Sequence, residues 1–327
     1  MTAPIAAPTR DAIQAAVSHL RAGSLVAFPT ETVYGLGADA GNEQAVRRIF
    51  AAKGRPANHP VIVHVVNKDA AAAWTGEMPD AASRLAEAFW PGPLTLIVPR
   101  SARASDSVTA GQDSVGLRVP SHPVAALLLQ AFAQAGGTGI AAPSANRFGR
   151  ISPTTAQHVA DDLGAEVAMI LDGGACDVGI ESTIVAFRDG EPMLLRPGGI
   201  SLAALTRVLG EAPRAPASDA PRASGTLASH YAPRTPARLV PADALRNCAA
   251  GVAVLARTVE RPQGAKRWID AASDPVAYAH DLYANLRALD AMQGDAILIE
   301  AVPDDAAWQA VRDRLTRATT GDDDDRD

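Results

Sequence analysis

The stretch between Glu211 and Arg234 most constrains the fold, because it divides a chain of 327 residues into two predicted domains. Its composition shifts to Pro, Ala, Ser and Arg, and it lacks the hydrophobic periodicity of a helix or strand, as is typical of a linker. Strand and helix patterns alternate on both sides of it, which predicts an α/β fold. The predicted organisation is a first α/β domain over 1–210, a linker over 211–236, a smaller α/β domain over 237–320 and an acidic, disordered tail over 321–327.

The residues after the linker alternate between short apolar segments and longer amphipathic ones. Strands are predicted at 238–240, 252–256 and 296–302, and helices at 242–249, 275–292 and 305–317. Strands that alternate with helices favour a parallel sheet covered by helices. The second domain is therefore predicted to be a small parallel sheet covered on both faces.

Composition and charge exclude several classes of protein. The mean hydropathy is +0.02 and no run of about 18 uncharged apolar residues occurs, so no membrane-spanning helix is predicted. The N-terminus lacks the pattern of a secretion signal, and the two cysteines, Cys176 and Cys248, lie far apart. Both observations favour a reduced, cytoplasmic compartment. A net charge of −6 argues against a general electrostatic grip on nucleic acid.

The first of two polar blocks that could carry chemistry contains Lys53 and Arg55. A helix is predicted to begin after Asn42 and to end at Lys53, with Gly54 supplying a left-handed turn. Two cations fixed one residue apart suit a substrate with several negative oxygens, such as a polyphosphate. The same cations could do no more than stabilise the helix C-terminus, an effect worth about 0.3–1 kcal/mol.

The second polar block contains Ser144 and Asn146, directly after a strand predicted at 139–142. A hydroxyl and an amide at this place could orient a bound substrate. They could equally cap the turn after the strand, because such side chains favour local bonds to the backbone.

Two further polar residues interrupt apolar strands predicted at 61–66 and 115–119. A lone histidine such as His64 is more often a satisfied core residue than a ligand. An arginine such as Arg118 is costly to bury unless an anion or several acceptors meet it. Arg118 therefore indicates either a structural ion pair or a clamp for a substrate carboxylate.

Common fingerprints of other enzymes are missing from the sequence: it contains no Walker-type loop, Gly-x-Gly-x-x-Gly turn, Ser-His-Asp arrangement, paired-histidine helix motif or metal-ligand cluster. Eight motifs in order instead resemble the threonylcarbamoyl-AMP synthases, the YrdC-domain family, in their long two-domain form. The motifs are AFPTETVYGLGADA at 27–40, KGRPANHPVIVHV at 53–65, WPGPLTLIV at 90–98, VGLRVPSHP at 115–123, AAPSANRFGRISPT at 141–154, GIESTIV at 179–185, LLRPG at 194–198 and HYAP at 230–233.

The resemblance implies both a fold and a reaction. The implied fold is a twisted, open, mixed-direction α/β sheet of the YrdC type, with a second, smaller Rossmann-like domain and a linker that folds over the active site. The implied reaction converts L-threonine, bicarbonate and ATP to L-threonylcarbamoyl-AMP and pyrophosphate. The product would pass to a tRNA threonylcarbamoyltransferase complex that modifies the adenosine beside the anticodon of ANN-reading tRNAs, and weak contact with tRNA is compatible with this role.

The resemblance also assigns residues to the site, and Mg²⁺ is expected to arrive with the ATP because no dedicated carboxylate cage is visible. Lys53 and Arg55 are the expected catalytic pair. The expected ATP-binding residues are Lys53, Arg55, His59, Ser114, Ser144, Asn146, Ser152, Arg196 and Tyr231. The expected threonine-binding residues are Thr32, His64, Arg118, Ala142 through its backbone, and Ser182.

Two other functions compete with this one. Hydrogenase-maturation carbamoyltransferases share the domain and form a carbamoyl-adenylate, but they carry zinc fingers that two cysteines cannot build. A non-catalytic protein that binds double-stranded RNA or tRNA on the concave face is the main alternative, and the net charge of −6 disfavours it. A steep loss of RNA binding with added salt would favour the RNA-binding function.

Overall fold

The computed structural model describes residues 3–56, 58–217, 220–227, 229–246, 248, 251–263 and 267–320. These residues form two compact units, which are described separately. The first unit contains Met1–Phe148, Pro153–Asp177 and Glu181–Thr226, and the second contains Gly149–Ser152, Val178–Ile180 and Leu227–Asp327. The tail predicted over 321–327 lies outside the described residues.

Within its described residues, the first unit has one ten-stranded sheet in the order β1-β8-β2-β3-β7-β4-β6-β5-β9-β10. Parallel and antiparallel pairs both occur, so the prediction of a mixed-direction α/β sheet is confirmed. The strands are Ile5–Ala6 (β1), Val26–Phe28 (β2), Gly35–Asp39 (β3), Ile62–His64 (β4), Leu94–Pro99 (β5), Ser114–Arg118 (β6), Ile140–Ala141 (β7), Met169–Leu171 (β8), Thr183–Arg188 (β9) and Glu191–Arg196 (β10).

Helices bury their apolar stripes against this sheet. Ile13, Val17 and Leu20 lie at helical spacing on α1 and pack with the strands in one core cluster, and a larger cluster contains Ile49 and Phe50 of α2. The helices of the first unit are Arg10–Arg21 (α1), Glu43–Lys53 (α2), Lys68–Ala72 (α3), Asp80–Phe89 (α4), Asp106–Thr109 (α5), Pro123–Gln134 (α6), Ala156–Leu163 (α7) and Leu202–Leu209 (α8).

Helix α2 sets the position of the first polar block. The side chain of Asn42 accepts hydrogen bonds from the backbone N–H groups of Gln44 and Ala45, which caps the helix. At the other end Gly54 takes a φ of 65°, a left-handed conformation that glycine adopts without strain. The predicted helix and its exit turn are therefore confirmed, and they place Lys53 in the last turn and Arg55 just beyond it.

The Asp189-Gly190 dipeptide between two apolar segments of the sequence predicts a two-residue hairpin, and β9 and β10 form it. Its two turn residues, Asp189 and Gly190, have φ angles of 50° and 82°, the left-handed pair that favours Asp-Gly in a two-residue turn. The sequence over 29–37 contains many turn-favouring residues and predicts a turn-rich stretch, but its last residues belong to β3, which spans Gly35–Asp39. At Gly37 a Cβ would lie 2.9 Å from Phe28 and 3.0 Å from Ile140, so glycine there permits close packing between strands.

The second unit contains a four-stranded parallel sheet in the order β11-β14-β12-β13 within its described residues, which confirms the parallel sheet predicted there. The helix predicted over 242–249 is wrong: a short 3₁₀ helix spans Ala242–Leu245, and Ala249 lies outside the described residues. The elements are Ala237–Val240 (β11), Ala253–Ala256 (β12), Trp268–Asp270 (β13), Ile297–Glu300 (β14), Pro275–Ala291 (α9) and Gln309–Thr319 (α10), with a 3₁₀ turn at Ala306–Trp308.

Two short segments that precede the predicted linker belong to the second unit. In Gly149–Ser152, the carbonyl of Gly149 accepts a hydrogen bond from the N–H of Ala232 at 2.8 Å. Arg287 of α9 donates to the carbonyls of Ile151 and Ser152. In Val178–Ile180, a Cβ on Gly179 would lie 2.1 Å from the carbonyl oxygen of His280, so only glycine fits there. Both segments are integral to the second unit.

The stretch predicted as a linker contains no helix or strand in its described parts, 211–217, 220–227 and 229–236. Its first part is nevertheless fixed to the first unit. The N–H of Arg222 donates to Gln112 at 2.7 Å, and Gln112 donates back to the carbonyl of Arg222 at 3.2 Å. In the part of the chain that the structure describes, no helix combines the length and the apolar character needed to span a bilayer.

Candidate active site

Lys53 links the two polar blocks. Its ammonium donates to the backbone carbonyls of Ser144 and Asn146, both at 2.6 Å, and only 4% of the residue is exposed. Burial, followed by repulsion from the nearby Arg55 guanidinium, lowers the pKa of Lys53 well below its usual value. The structure thus brings Lys53, Arg55, Ser144 and Asn146 together, and Lys53 holds the second block in place.

Arg55 and Arg196 meet at a serine that the sequence did not point to. Arg55 donates to the hydroxyl of Ser224 at 3.3 Å, and Arg196 donates to the Ser224 carbonyl at 2.7 Å. Arg196 also donates to the carbonyl of Ser182 at 3.0 and 3.1 Å and to its hydroxyl at 3.2 Å. This network joins a predicted ATP-binding arginine to a predicted threonine-binding serine.

Arg118 pairs with a carboxylate inside the first unit. Its Nη2 lies 2.7 Å from Oε1 of Glu31, and the two side chains are only 5% and 6% exposed. The separation is that of an ion pair, although neither atom makes a well-aligned hydrogen bond. The other guanidinium contact, from Nε to the carbonyl of Gly92, is long at 3.4 Å. The ion pair left open by the sequence is therefore present, but it is incompletely hydrogen-bonded.

His64 lies beside Arg118, because the two are register partners in the parallel pair β4 and β6. Its ring also contacts Phe28 edge to face, with centroids 6.1 Å apart. Burial, followed by repulsion from Arg118, lowers the pKa of His64 to about 3. The imidazole is therefore neutral at physiological pH, where it can hydrogen-bond to a substrate without adding charge.

We expect His64→Gln to flatten the loss of stability at acidic pH. The folded pKa of about 3 lies below the unfolded value of 6.5, so between them the unfolded chain binds the extra proton and falling pH favours unfolding. This proton contributes at most about 1.4 kcal/mol per pH unit to the free energy of unfolding. Urea denaturation from about pH 4.5 to about pH 7 measures the slope.

The half-buried His19 of α1 is the matched control, because His19→Gln also removes an imidazole from the first unit. In His64→Gln the free energy of unfolding should still depend on pH, although less steeply than in the wild type. Part of the pH dependence stays because burial also lowers the pKa of His122. A slope in His64→Gln equal to that of the wild type contradicts the assignment.

The remaining predicted residues of the first unit lie close to these groups. The hydroxyl of Thr32 is 2.8 Å from that of Thr30, and the backbone N–H of Ala142 donates to the carbonyl of Ile62 in β4. Ser114 lines a narrow cavity together with Ile62, Ile97, Gly116, Ile184 and Ala223.

His59 is half-buried, and its ring lies 5.7 Å from that of Phe148. Burial, followed by repulsion from Arg55 and Arg222, lowers its pKa. Neutral imidazole is thus favoured there beside two guanidinium groups. The ligand roles assigned to all these residues stay predictions.

Ser152 and Tyr231 belong to the second unit. Ser152 is fully buried. Tyr231 is 1% exposed, with the rings of His230 and Tyr283 at 4.2 and 5.5 Å and the guanidinium of Arg314 at 5.3 Å. Its φ of 64° is uncommon for a non-glycine residue. Their nucleotide contacts stay predictions.

Sequence reasoning missed Glu31, Thr95 and Ser224. Glu31 had a readable signal, because it is the one charged residue of the sequence over 25–38. Thr95 is the polar residue of the apolar strand β5, and its hydroxyl lies 2.8 Å from that of Ser182. Ser224 carried no signal, since the stretch around it has no periodicity that would indicate a fixed position.

Comparison with known proteins identifies the family. A Sua5/YciO/YrdC family model described as "Telomere recombination" matches residues 18–198, and one described as "Threonylcarbamoyl-AMP synthase, C-terminal domain" matches 200–320. The threonylcarbamoyl-AMP synthase of Pyrococcus abyssi is 39% identical over 322 residues, which cover 94% of each chain. The chain belongs to the threonylcarbamoyl-AMP synthase family.

Further relatives agree with this family. The threonylcarbamoyl-AMP synthase of Bacillus subtilis is 38% identical over 334 residues, covering 94% of this chain and 93% of its own. The crystal structure of P. abyssi Sua5 complexed with L-threonine superposes with a TM-score of 0.86 at 37% identity, covering 94% of both chains. The resemblance drawn from the motifs, including the long form of the threonylcarbamoyl-AMP synthase family, is confirmed, and the chain is an enzyme of that family.

Proposed function

We propose that the protein synthesises L-threonylcarbamoyl-AMP and pyrophosphate from L-threonine, bicarbonate and ATP. The observation that carries this proposal is the buried cationic network of the first unit, in which Lys53 holds the Ser144–Asn146 block and Arg55 lies close to it. Buried cations beside backbone and hydroxyl groups suit a phosphate-rich substrate. Membership of the family and the L-threonine complex of P. abyssi Sua5 support the same reaction.

The reaction needs positioned reactants and no enzyme nucleophile. The amine of threonine attacks the carbon of bicarbonate, water leaves, and an N-carboxy intermediate results. A carboxylate oxygen of this intermediate then attacks the α-phosphorus of ATP, and the bond to the β-phosphate breaks to release pyrophosphate. Holding the reactants in place supplies about 7–11 kcal/mol of the barrier reduction, and fixed donors stabilise the developing charge.

The residues divide naturally between the two substrates. Lys53, Arg55 and Arg196 would face the triphosphate, with His59, Ser144 and Asn146 beside it. Ser114 is assigned to ATP through the family resemblance, because the narrow cavity that it lines has a volume of about 10 Å³ and is too small for an adenosine. Arg118 would bind the carboxylate of threonine, with Thr32, His64, Ala142 and Ser182 around it. The family resemblance also assigns Ser152 and Tyr231, which belong to the second unit, to ATP.

We further propose that Mg²⁺ enters on the phosphates of ATP. No group of three or more His, Cys, Asp or Glu side chains is placed to hold a metal ion among the residues that the structure describes. The donors at the proposed phosphate site are cationic and neutral, so they fit the phosphate oxygens rather than the ion. Magnesium would supply charge neutralisation at the β- and γ-phosphates when bound.

The product is a mixed anhydride, so an acceptor enzyme must consume it before water does. We propose that a tRNA threonylcarbamoyltransferase complex takes it up and modifies the adenosine beside the anticodon of ANN-reading tRNAs, in the cytoplasm. Membership of the threonylcarbamoyl-AMP synthase family supports this step.

We expect pyrophosphate release from ATP in bicarbonate buffer to depend on L-threonine, because the N-carboxy intermediate is the attacking group. A coupled phosphate assay with pyrophosphatase measures the rate with and without threonine, and bicarbonate-depleted buffer is the matched control. A rate that is no faster with threonine than without it rejects the proposed function.

A further inference from the structure

Glu31 is a charged residue that the proposed mechanism leaves unused. It is 4% exposed, and it is the one charged residue over 25–38. Burying a carboxylate costs several kcal/mol unless its partners compensate well. In the described residues its partners are Arg118 at 2.7 Å and the N–H of Ser121, which donates to Oε2 at 3.2 Å.

The pairing with Arg118 leaves much of this hydrogen-bonding capacity unused. Oε1 of Glu31 and Nη2 of Arg118 are both buried, and neither has an aligned hydrogen-bond partner among the described residues. A pair selected only for stability would make parallel, bidentate bonds between guanidinium and carboxylate. The two atoms lie 2.7 Å apart as an ion pair, yet each keeps hydrogen-bonding capacity at the same buried place because their contact is not an aligned hydrogen bond.

An amino acid zwitterion matches this arrangement with the charges reversed. Its carboxylate and its ammonium are attached to the same carbon, so they can meet an arginine and a glutamate that lie side by side. The neighbouring polar groups belong to the predicted threonine set: Thr32 follows Glu31 directly, and His64 is the register partner of Arg118. His64 adds no competing positive charge, since its pKa is lowered to about 3.

We propose that Glu31 binds the α-ammonium of the amino acid substrate while Arg118 binds its carboxylate. Without substrate the two side chains neutralise each other, and with substrate each exchanges its partner for the opposite charge of the zwitterion. This proposal rests on the proposed function, and it assigns to Glu31 the selection of α-amino acids over α-hydroxy acids.

The experiment compares two ligands on the full-length protein. L-Threonine carries the ammonium, and the matching 2,3-dihydroxybutyrate keeps the carboxylate and the β-hydroxyl but replaces the ammonium with a hydroxyl. Calorimetry measures both affinities for the wild type and for Glu31→Gln. We expect Glu31→Gln to weaken the affinity for threonine at least about 30-fold and to change the affinity for the hydroxy acid less than about threefold.

Two other variants provide an alternative to Glu31→Gln and a control. Glu31→Asp retains the charge on a shorter side chain, so it should also weaken the affinity for threonine more than that for the hydroxy acid. This variant replaces Glu31→Gln in the test if Glu31→Gln does not fold. Glu87→Gln removes a carboxylate whose side chain is 75% exposed, and both affinities should stay unchanged.

Each alternative outcome overturns the proposal. If Glu31→Gln weakens both ligands equally, Glu31 only positions Arg118. If neither affinity changes, Glu31 has no part in binding. If the wild type binds no threonine at all, the proposed function itself fails, and this result is distinct from the other two.

Discussion

Lys53→Met is expected to reduce threonine-dependent pyrophosphate release by about 100- to 1,000-fold, the range found when a fixed donor to transition-state charge is removed. Methionine keeps the length of the side chain but loses the ammonium that donates to the carbonyls of Ser144 and Asn146. The variant loses the anchor of the Ser144–Asn146 block and also the charge that is proposed to face the phosphates. Steady-state kinetics with ATP and threonine varied in turn measure the effect.

Lys68→Met is the matched control, because Lys68 lies on the surface with 45% of its side chain exposed. Its kinetics should equal those of the wild type. If Lys53 only stabilised the end of α2, the variant would lose about 0.3–1 kcal/mol of stability, and its kinetics would stay close to those of the wild type. A Lys53→Met enzyme within fivefold of the wild type would therefore show that the lysine serves the helix alone.

Arg118→Ala is expected to raise the KM for threonine at least about 30-fold and to destabilise the fold by about 3–5 kcal/mol. The variant removes the proposed clamp and leaves the carboxylate of Glu31 buried without its counter-ion. The KM for ATP should change far less, because Arg118 is not assigned to the nucleotide. Urea denaturation and pyrophosphate kinetics measure the two effects separately.

A double variant, Arg118→Met with Glu31→Gln, separates structure from binding. Removing both charges recovers stability, because no unpaired ion stays buried. If Arg118 clamps the substrate, this stable double variant should still bind threonine poorly. Recovery of the wild-type KM along with stability would show that the pair is purely structural, and equal effects of Arg118→Ala on both substrates would contradict the clamp.

The elements that sequence reasoning predicted well are those with local signals. Asn42 and Gly54 mark the two ends of α2 through cap chemistry that involves only neighbouring residues. Asp189 and Gly190 mark the hairpin for the same reason. In the second unit, alternating apolar periodicity was enough to predict a parallel sheet.

The sequence-based predictions failed at segments whose structure depends on packing against distant parts of the chain. The glycines over 35–39 looked like turn residues, but Gly37 serves the close approach of Phe28 and Ile140 from other strands. The order of the ten strands places β7 between β3 and β4, a pairing between distant segments that no local pattern encodes. The 3₁₀ turn at Ala242–Leu245 likewise replaced a helix that propensity favoured.

The candidate site shows the same division. Burial of Arg118 in an apolar strand indicated that an anion must meet it, but the pattern could not identify Glu31, 87 residues earlier (118 minus 31), as that anion. Lys53 and the Ser144–Asn146 block were expected at one site, yet the hydrogen bonds to two carbonyls are a property of the folded backbone. The sequence motifs identified the candidate residues of the site, and the folded backbone determined which groups each of them contacts.

The short segments Gly149–Ser152 and Val178–Ile180 have a consequence for how this protein can be divided. A fragment that starts at Leu227 would lack the acceptors of Arg287 and Ala232, and it would also lack the glycine seated on the backbone of His280. Such a fragment is not a self-contained body, even though its sequence reads as a domain. Separating the two units by cutting the chain once in the linker would therefore require compensating changes around positions 150 and 179.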